Sequence, residues 1–205
     1  MHRRFLKMDR IKLPLLLGSV RIGRRSEAVA KYLLSQLEND SRFEAELLDL
    51  AEYPFGLLEQ RPSEMAEPPA KFAVFSQRLR EADALLIVSP EYKGGMPGAL
   101  KNAVDLLEPG ILRRKPVGIC TVSAGGFGGL QCLLQLRSTV SALGGVPIPE
   151  SILVSRVQEQ FDAQGMRNHG TKPVETGTFL EELYFYGQAL QQPRRQAAAS
   201  LSGKP

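Results

Sequence analysis

The sequence predicts an α/β domain: a five-stranded parallel sheet with helices on both faces. Short apolar runs of strand length alternate with longer segments whose apolar residues recur at helical period, and the alternation repeats five times. The runs at 84–88 and 117–122 are apolar almost without a break, as in strands covered on both faces. The segments after the first, third and fourth runs are dense in glycine, serine, proline and arginine. In open sheets of this kind, ligands bind beyond the carboxyl ends of the strands, near the switch in strand order.

The first run, 13–17, is a buried strand, with Pro14 expected at its first residue because proline cannot donate to a central ladder. Ser26 is a candidate cap for the following helix, whose Val29, Ala30, Leu33, Leu34 and Leu37 form one stripe. Residues 43–50 form the second strand, and 53–69 a long connection punctuated by prolines. The next helix opens near Pro69 and turns Phe72, Phe75 and Leu79 inward. The third strand is 84–88, 89–96 is a loop, and Pro97 starts a helix that ends before Pro109 and Gly110. The fourth strand, 117–122, leads through 123–129 into a helix over 130–143 closed by Gly144. Pro147 and Pro149 make the fifth strand, 146–154, less regular, and a last amphipathic helix covers 179–190. From Pro193 the chain is polar, small and basic, which predicts a disordered tail over 193–205. Residues 1–10 read as a basic arm, leaving 11–192 as the folded domain.

With 205 residues, 43% hydrophobic and 23% charged, the chain suits one globular domain that needs no disulfide. A net charge of +4 favours an anionic ligand. It is too small and too scattered for nucleic acid, and no alternation of basic and aromatic residues offers a base-stacking surface. Cys120 and Cys132 both lie in apolar context, which suits packing and a reducing compartment. No stretch is long enough to span a bilayer, and MHRRFLKMDRIK carries no visible secretory signal, with Met8 a second candidate start. A cytoplasmic protein without a membrane partner is expected. His2 and His169 are too few and too far apart to suggest a metal site.

The loop GSVRIGRRS at 18–26 leaves a strand and enters a helix, whose first-turn N–H groups attract anions. Ser19 and Ser26 add hydroxyls, and Arg21 adds a planar fork suited to phosphate; the bland alternative is a polar loop with serine caps. The loop lacks GxGxxG and GK[ST], so one terminal phosphate fits it better than a pyrophosphate. In SPEYKGGMPG at 89–98, Pro90 stiffens the backbone, Gly94 and Gly95 allow tight passage, and Tyr92 offers a ring for stacking or an interface. Glu91 is solvated if it has no role there, and Lys101 and Asp105 read as an ordinary helix pair. SAGGFGGLQ at 123–131 has four glycines in seven residues. That suits backbone N–H groups approaching a flat heterocycle, or else tight contact between helix and sheet.

In order and at these spacings, GSVRIGRRS, SPEYKGGMPGALKNAVDLL at 89–107 and SAGGFGGLQCLLQLR at 123–137 resemble the NADPH-dependent FMN reductase family. The weaker run FDAQGMRN at 161–168 adds to it, and the resemblance covers roughly residues 11–190. It implies a flavodoxin-like fold, FMN as cofactor and NADPH or NADH as electron donor. It also implies ping-pong hydride transfer to FMN and then to a small-molecule acceptor: quinones, free flavins, azo compounds or metal oxyanions. Ser19, Arg21 and Ser26 match the family's phosphate loop. Pro90, Glu91, Tyr92 and Lys93 match the loop alongside the ring and ribityl chain. Ser123, Gly125 and Gly126 match the loop near the ring's polar edge. No catalytic acid or base is implied, since the cofactor does the hard chemistry. A homodimer or homotetramer is implied, with the flavin site near an interface to which Tyr92 and Met96 are the candidate anchors. Two features depart from the pattern. Lys93 stands where many members have asparagine, and Arg24 and Arg25 charge the first loop, where they either receive a phosphate of NADPH or are solvated. A flavodoxin-type electron carrier and a regulatory protein with a decayed flavin site are the alternatives; the chain lacks the strong acidic charge of carriers.

Overall fold

A computed structural model describes residues 10–202 apart from 70, 163, 165, 172 and 173, so nine residues of the expected basic arm lie outside the described residues. Five strands form one parallel sheet in the order β2-β1-β3-β4-β5. They are β1 (Ile11–Leu17), β2 (Phe43–Asp49), β3 (Leu85–Pro90), β4 (Pro116–Val122) and β5 (Val146–Val154). Between them run α1 (Ser26–Glu38), α2 (Phe72–Glu81), α3 (Gly98–Asp105) and α4 (Leu130–Ala142). A single turn, α5 (Val157–Gln160), and the long α6 (Gly177–Ser202) follow β5. This is the expected flavodoxin-like α/β fold, and its order reverses between β1 and β3.

Alternating residues of each strand feed two cores. Leu13, Leu15, Leu17, Leu86, Val88 and Cys120 pack under α1 and α6, while Leu16, Leu85, Ile87, Val117 and Ile119 pack under α2, α3 and α4. Every residue of β3 and β4 is buried, which explains their unbroken apolar runs. Each Leu, Ile or Phe so buried contributes about 1.5–3 kcal/mol. Phe72, Phe75 and Leu79 are the buried stripe of α2, as their spacing predicts.

Three differences from the expected elements have physical causes. Pro14 lies inside β1, not at its start. Its side of the strand is the one that faces β3, because the neighbouring even position, Lys12, accepts from Asp83 N at 2.9 Å. Pairing with β3 begins only at Leu15, opposite Leu86, so no ladder donor is lost at Pro14. Pro147 and Pro149 lie on β5, an edge strand, where proline is tolerated and where the register shifts between Val117 and Ile119. Finally, α6 runs through Pro193 to Ser202, where composition predicts a disordered tail. The extension is tethered to the sheet: the Arg194 guanidinium pairs with Asp83 at 2.7 Å, and Gln191 Nε2 donates to Asp83 Oδ2 at 2.9 Å.

Candidate functional site

The first loop is pinned from beneath. Ser19 is fully buried, and its hydroxyl meets Tyr92 Oη at 2.8 Å while accepting from Arg21 N at 3.3 Å. Arg24 is neither solvated nor free to receive a cofactor. Its side chain is 9% exposed, donates to Ser19 O, pairs with Asp49 at the end of β2, and lies 3.6 Å from Glu27. Arg24 therefore staples the loop backbone to the neighbouring strand. Arg21 and Arg25 are exposed. The Arg21 guanidinium sits 5.8 Å from the centre of the Tyr92 ring, within cation–π range.

Ser26 does not cap α1. Arg25 holds the cap position in a helical conformation without a side-chain cap bond, and Ser26 is the first helical residue. The first-turn amides of α1 thus lack a side-chain acceptor. The Ser26 hydroxyl is 1% exposed and has no hydrogen-bond partner among the described residues. A buried hydroxyl without a partner is uncommon and implies a missing acceptor or donor.

In the second loop, Pro90 ends β3 opposite Val122, and Glu91 N donates to Val122 O at 2.9 Å. Glu91 is not simply solvated, since its Oε2 accepts from Cys132 N in the first turn of α4 at 3.0 Å. A carboxylate there complements the helix N-terminus and ties the second loop to the element behind the third. Tyr92 and Gly95 exchange backbone bonds of 2.9 and 3.2 Å around Lys93 and Gly94, which have φ of +53° and +78°. Two left-handed central residues make a tight primed turn, where asparagine is favoured over lysine. The departure at Lys93 therefore has a backbone cost. Met96, a candidate interface anchor, is instead buried in the core with Leu100. Tyr92 is half-buried, and Lys101 pairs with Asp105 at 2.6 Å as expected.

The four glycines of the third loop divide into two kinds. Gly128 and Gly129 are left-handed and packed: a Cβ on Gly128 would lie 2.7 Å from Leu153 Cβ and 3.0 Å from its carbonyl carbon, and one on Gly129 3.0 Å from Thr121 Cβ. Gly125 has nothing within 4 Å, and Gly126 has only an Arg156 nitrogen at 3.8 Å. The packing explanation holds for the second pair, and the first pair leaves open backbone. The Ser123 hydroxyl donates to Gly125 O at 3.0 Å, and Ser123 N is held by Val154 O at 2.9 Å.

A cavity of about 290 Å³ lies where the three loops meet. Arg21, Gly23, Arg24, Arg25 and Ser26 line it from the first loop, Pro90 to Tyr92 from the second, and Ser123 and Ala124 from the third. Ser19 sits beneath it, while Lys93, Gly125 and Gly126 are not part of its wall. No motif marks two further contributors, Val157 in its wall and Asp49 behind Arg24. The one carboxylate in the wall is Glu91, already engaged with α4, so the cleft suits an anion. The two cysteines lie outside it; burial pushes the Cys132 thiol up to about 11 and raises that of Cys120 as well. Neither is therefore a thiolate near neutral pH.

The family model described as NADPH-dependent FMN reductase matches residues 11–159. An FMN-dependent NADPH-azoreductase of Staphylococcus haemolyticus is 32% identical over 141 residues, which is 67% of this chain and 73% of that protein. An NADPH azoreductase of a Bacillus species is 28% identical over 190 residues, 91% of this chain and 98% of that protein. In fold, the chain is similar to FerB, a flavoenzyme NAD(P)H:(acceptor) oxidoreductase from Paracoccus denitrificans, with TM-score 0.65 and 23% identity over 89% of this chain and 98% of that one.

Proposed function

The chain belongs to the NADPH-dependent FMN reductase family, and from that premise we propose that it reduces azo compounds and quinones with NADPH or NADH through FMN held where the three loops meet. It is an oxidoreductase whose cofactors are FMN and NAD(P)H. The observation that carries the placement of FMN is Ser26, a buried hydroxyl without a partner at an uncapped helix N-terminus. A phosphate monoester fits it: its oxygens would accept from Ser26 and from the α1 amides, and Arg21, on the same loop, would supply a charged donor. Ser19 acts by positioning, holding the Tyr92 hydroxyl and Arg21 N. Pro90, Glu91, Tyr92 and Ser123, which line the cavity, would hold the ring, and Lys93, Gly125 and Gly126, outside its wall, would meet only a part of the flavin that extends beyond it. Glu91 keeps the second and third loops in fixed relation through Cys132 N.

When bound, FMN supplies the redox chemistry, accepting a hydride from the nicotinamide and passing electrons to the acceptor. The protein would bind and orient the flavin, and if the loops cover one of its faces, donor and acceptor would use the other in turn. Ping-pong order follows, with quinones, flavins, azo compounds and metal oxyanions as the acceptor class. A cytoplasmic homodimer or homotetramer belongs to the same reading. Its support is the exposure of apolar Ile22 and Leu57, at 99% and 82%. Among the described residues no helix is long and apolar enough to cross a membrane. Steady-state kinetics test the proposal: varying NADPH at several fixed quinone concentrations gives parallel double-reciprocal lines, and intersecting lines would contradict the shared face.

A further inference from the structure

Arg156 follows β5 at the carboxyl end of the sheet, and it is exposed. Its backbone is left-handed, with φ +43° and ψ 51°. That conformation costs an arginine about 1–2 kcal/mol and persists where surrounding bonds impose it. Two such bonds are present: Arg156 N donates to Gly125 O at 3.0 Å, and Val157 N to Ser123 O at 3.1 Å. They hold the side chain against the third loop, where Nη2 lies 3.8 Å from the position a Gly126 Cβ would take. The guanidinium makes no hydrogen bond or ion pair among the described residues.

FMN carries one phosphate, and the groups that fit it are at the other end of the cleft. The α1 N-terminus follows β1, separated from β5 by three strand intervals of about 4.8 Å each. Arg156 is not among the residues that line the cavity around Ser26, so its donors stand apart from the groups that fit the phosphate. They stand beside open glycine backbone, and the next residue after Gly126 is the 84% exposed Phe127. An aromatic face next to an unspent planar cation suits a flat ring bearing an acidic group. Resting on the reductase reading above, we propose that Arg156 pairs with a sulfonate or carboxylate on the aromatic electron acceptor and so sets a preference for acidic over neutral acceptors.

The test compares the FMN-loaded protein with Arg156→Gln, Arg156→Lys and Arg156→Gly, using a naphthoquinone sulfonate and the unsubstituted naphthoquinone at fixed NADPH. The ratio of kcat/KM for the sulfonate to that for the neutral quinone falls roughly three- to tenfold in the Gln and Gly variants, the scale of an exposed charge pair. The Lys variant keeps most of it. Arg156→Gly adopts a left-handed backbone without strain, so it separates lost charge from a disturbed corner. A second readout needs no turnover: naphthalene sulfonate titrated into the oxidised protein binds the wild type more tightly than Arg156→Gln, and added salt erases the difference. An unchanged ratio overturns the proposal, as does equal loss on both quinones. A rise confined to the NADPH KM also overturns it and assigns Arg156 to the donor. If the wild type reduces neither quinone, the quinone part of the proposed function fails, and the sulfonate titration then decides the role of Arg156 alone.

Discussion

Ser26→Ala separates a ligand-binding hydroxyl from a structural one. The hydroxyl is 1% exposed and has no partner among the described residues, so the apoprotein bears its desolvation without return. An unsatisfied buried polar group costs about 1–3 kcal/mol, and alanine is the better helix former by a few tenths. The apo variant should be as stable as the wild type or more stable by ~1 kcal/mol. With FMN bound the sign reverses, because a hydrogen bond to a charged acceptor contributes about 1.5–3 kcal/mol. Losing it weakens FMN binding roughly tenfold to a hundredfold. Fluorescence titration of apoprotein with FMN at fixed ionic strength reads the second quantity, and urea unfolding without FMN reads the first. An apo variant that loses stability while its FMN affinity stays the same would remove Ser26 from the binding site, because Ser26 would then be serving the fold.

Three further perturbations test the surrounding frame. Arg24→Ala strands Asp49, whose side chain is 13% exposed, and should lower unfolding free energy by about 2–4 kcal/mol in urea; Arg25→Ala, at an exposed position, should change it by less than about 0.5 kcal/mol. Gly128→Ala drives a Cβ into the Leu153 backbone at φ +63° and should cost about 2 kcal/mol or more, whereas Gly125→Ala should fold normally, with equal losses in the two variants counting against the division of the loop. Burial first, and then the Arg194 guanidinium, push the Lys115 ammonium from 10.5 down to about 7. Between these values the unfolded chain holds the extra proton, so stability rises with pH from about 7 toward 10.5. Urea titrations at pH 7 and 9 should show a larger gain for the wild type than for Lys115→Met, and an equal gain would remove Lys115 as the cause.

The sheet was legible because strands buried on both faces must be apolar throughout, and β3 and β4 are. Pro14 was not placeable from sequence, since its cost depends on which neighbour its nitrogen faces and where that ladder begins. The extension of α6 rests on Arg194 meeting Asp83, a residue 111 positions away, and no local composition carries that contact. At the site, the three loops and their order were legible, but the division of labour within them was not. A helix start displaced by one residue turned Ser26 from a cap into a hydroxyl without a partner. Arg24 offered only cofactor or solvent as sequence choices, and its true partner Asp49 lies 25 residues on. Four similar glycines conceal two packed against β4 and β5 and two with free space beside them.

The most direct test of the central claim is anaerobic stopped-flow spectroscopy of the FMN-reconstituted protein. NADPH should bleach the oxidised flavin band within the steady-state turnover time, and an azo compound or quinone added next should restore it. A band that both NADPH and NADH leave unchanged would contradict the reductase account.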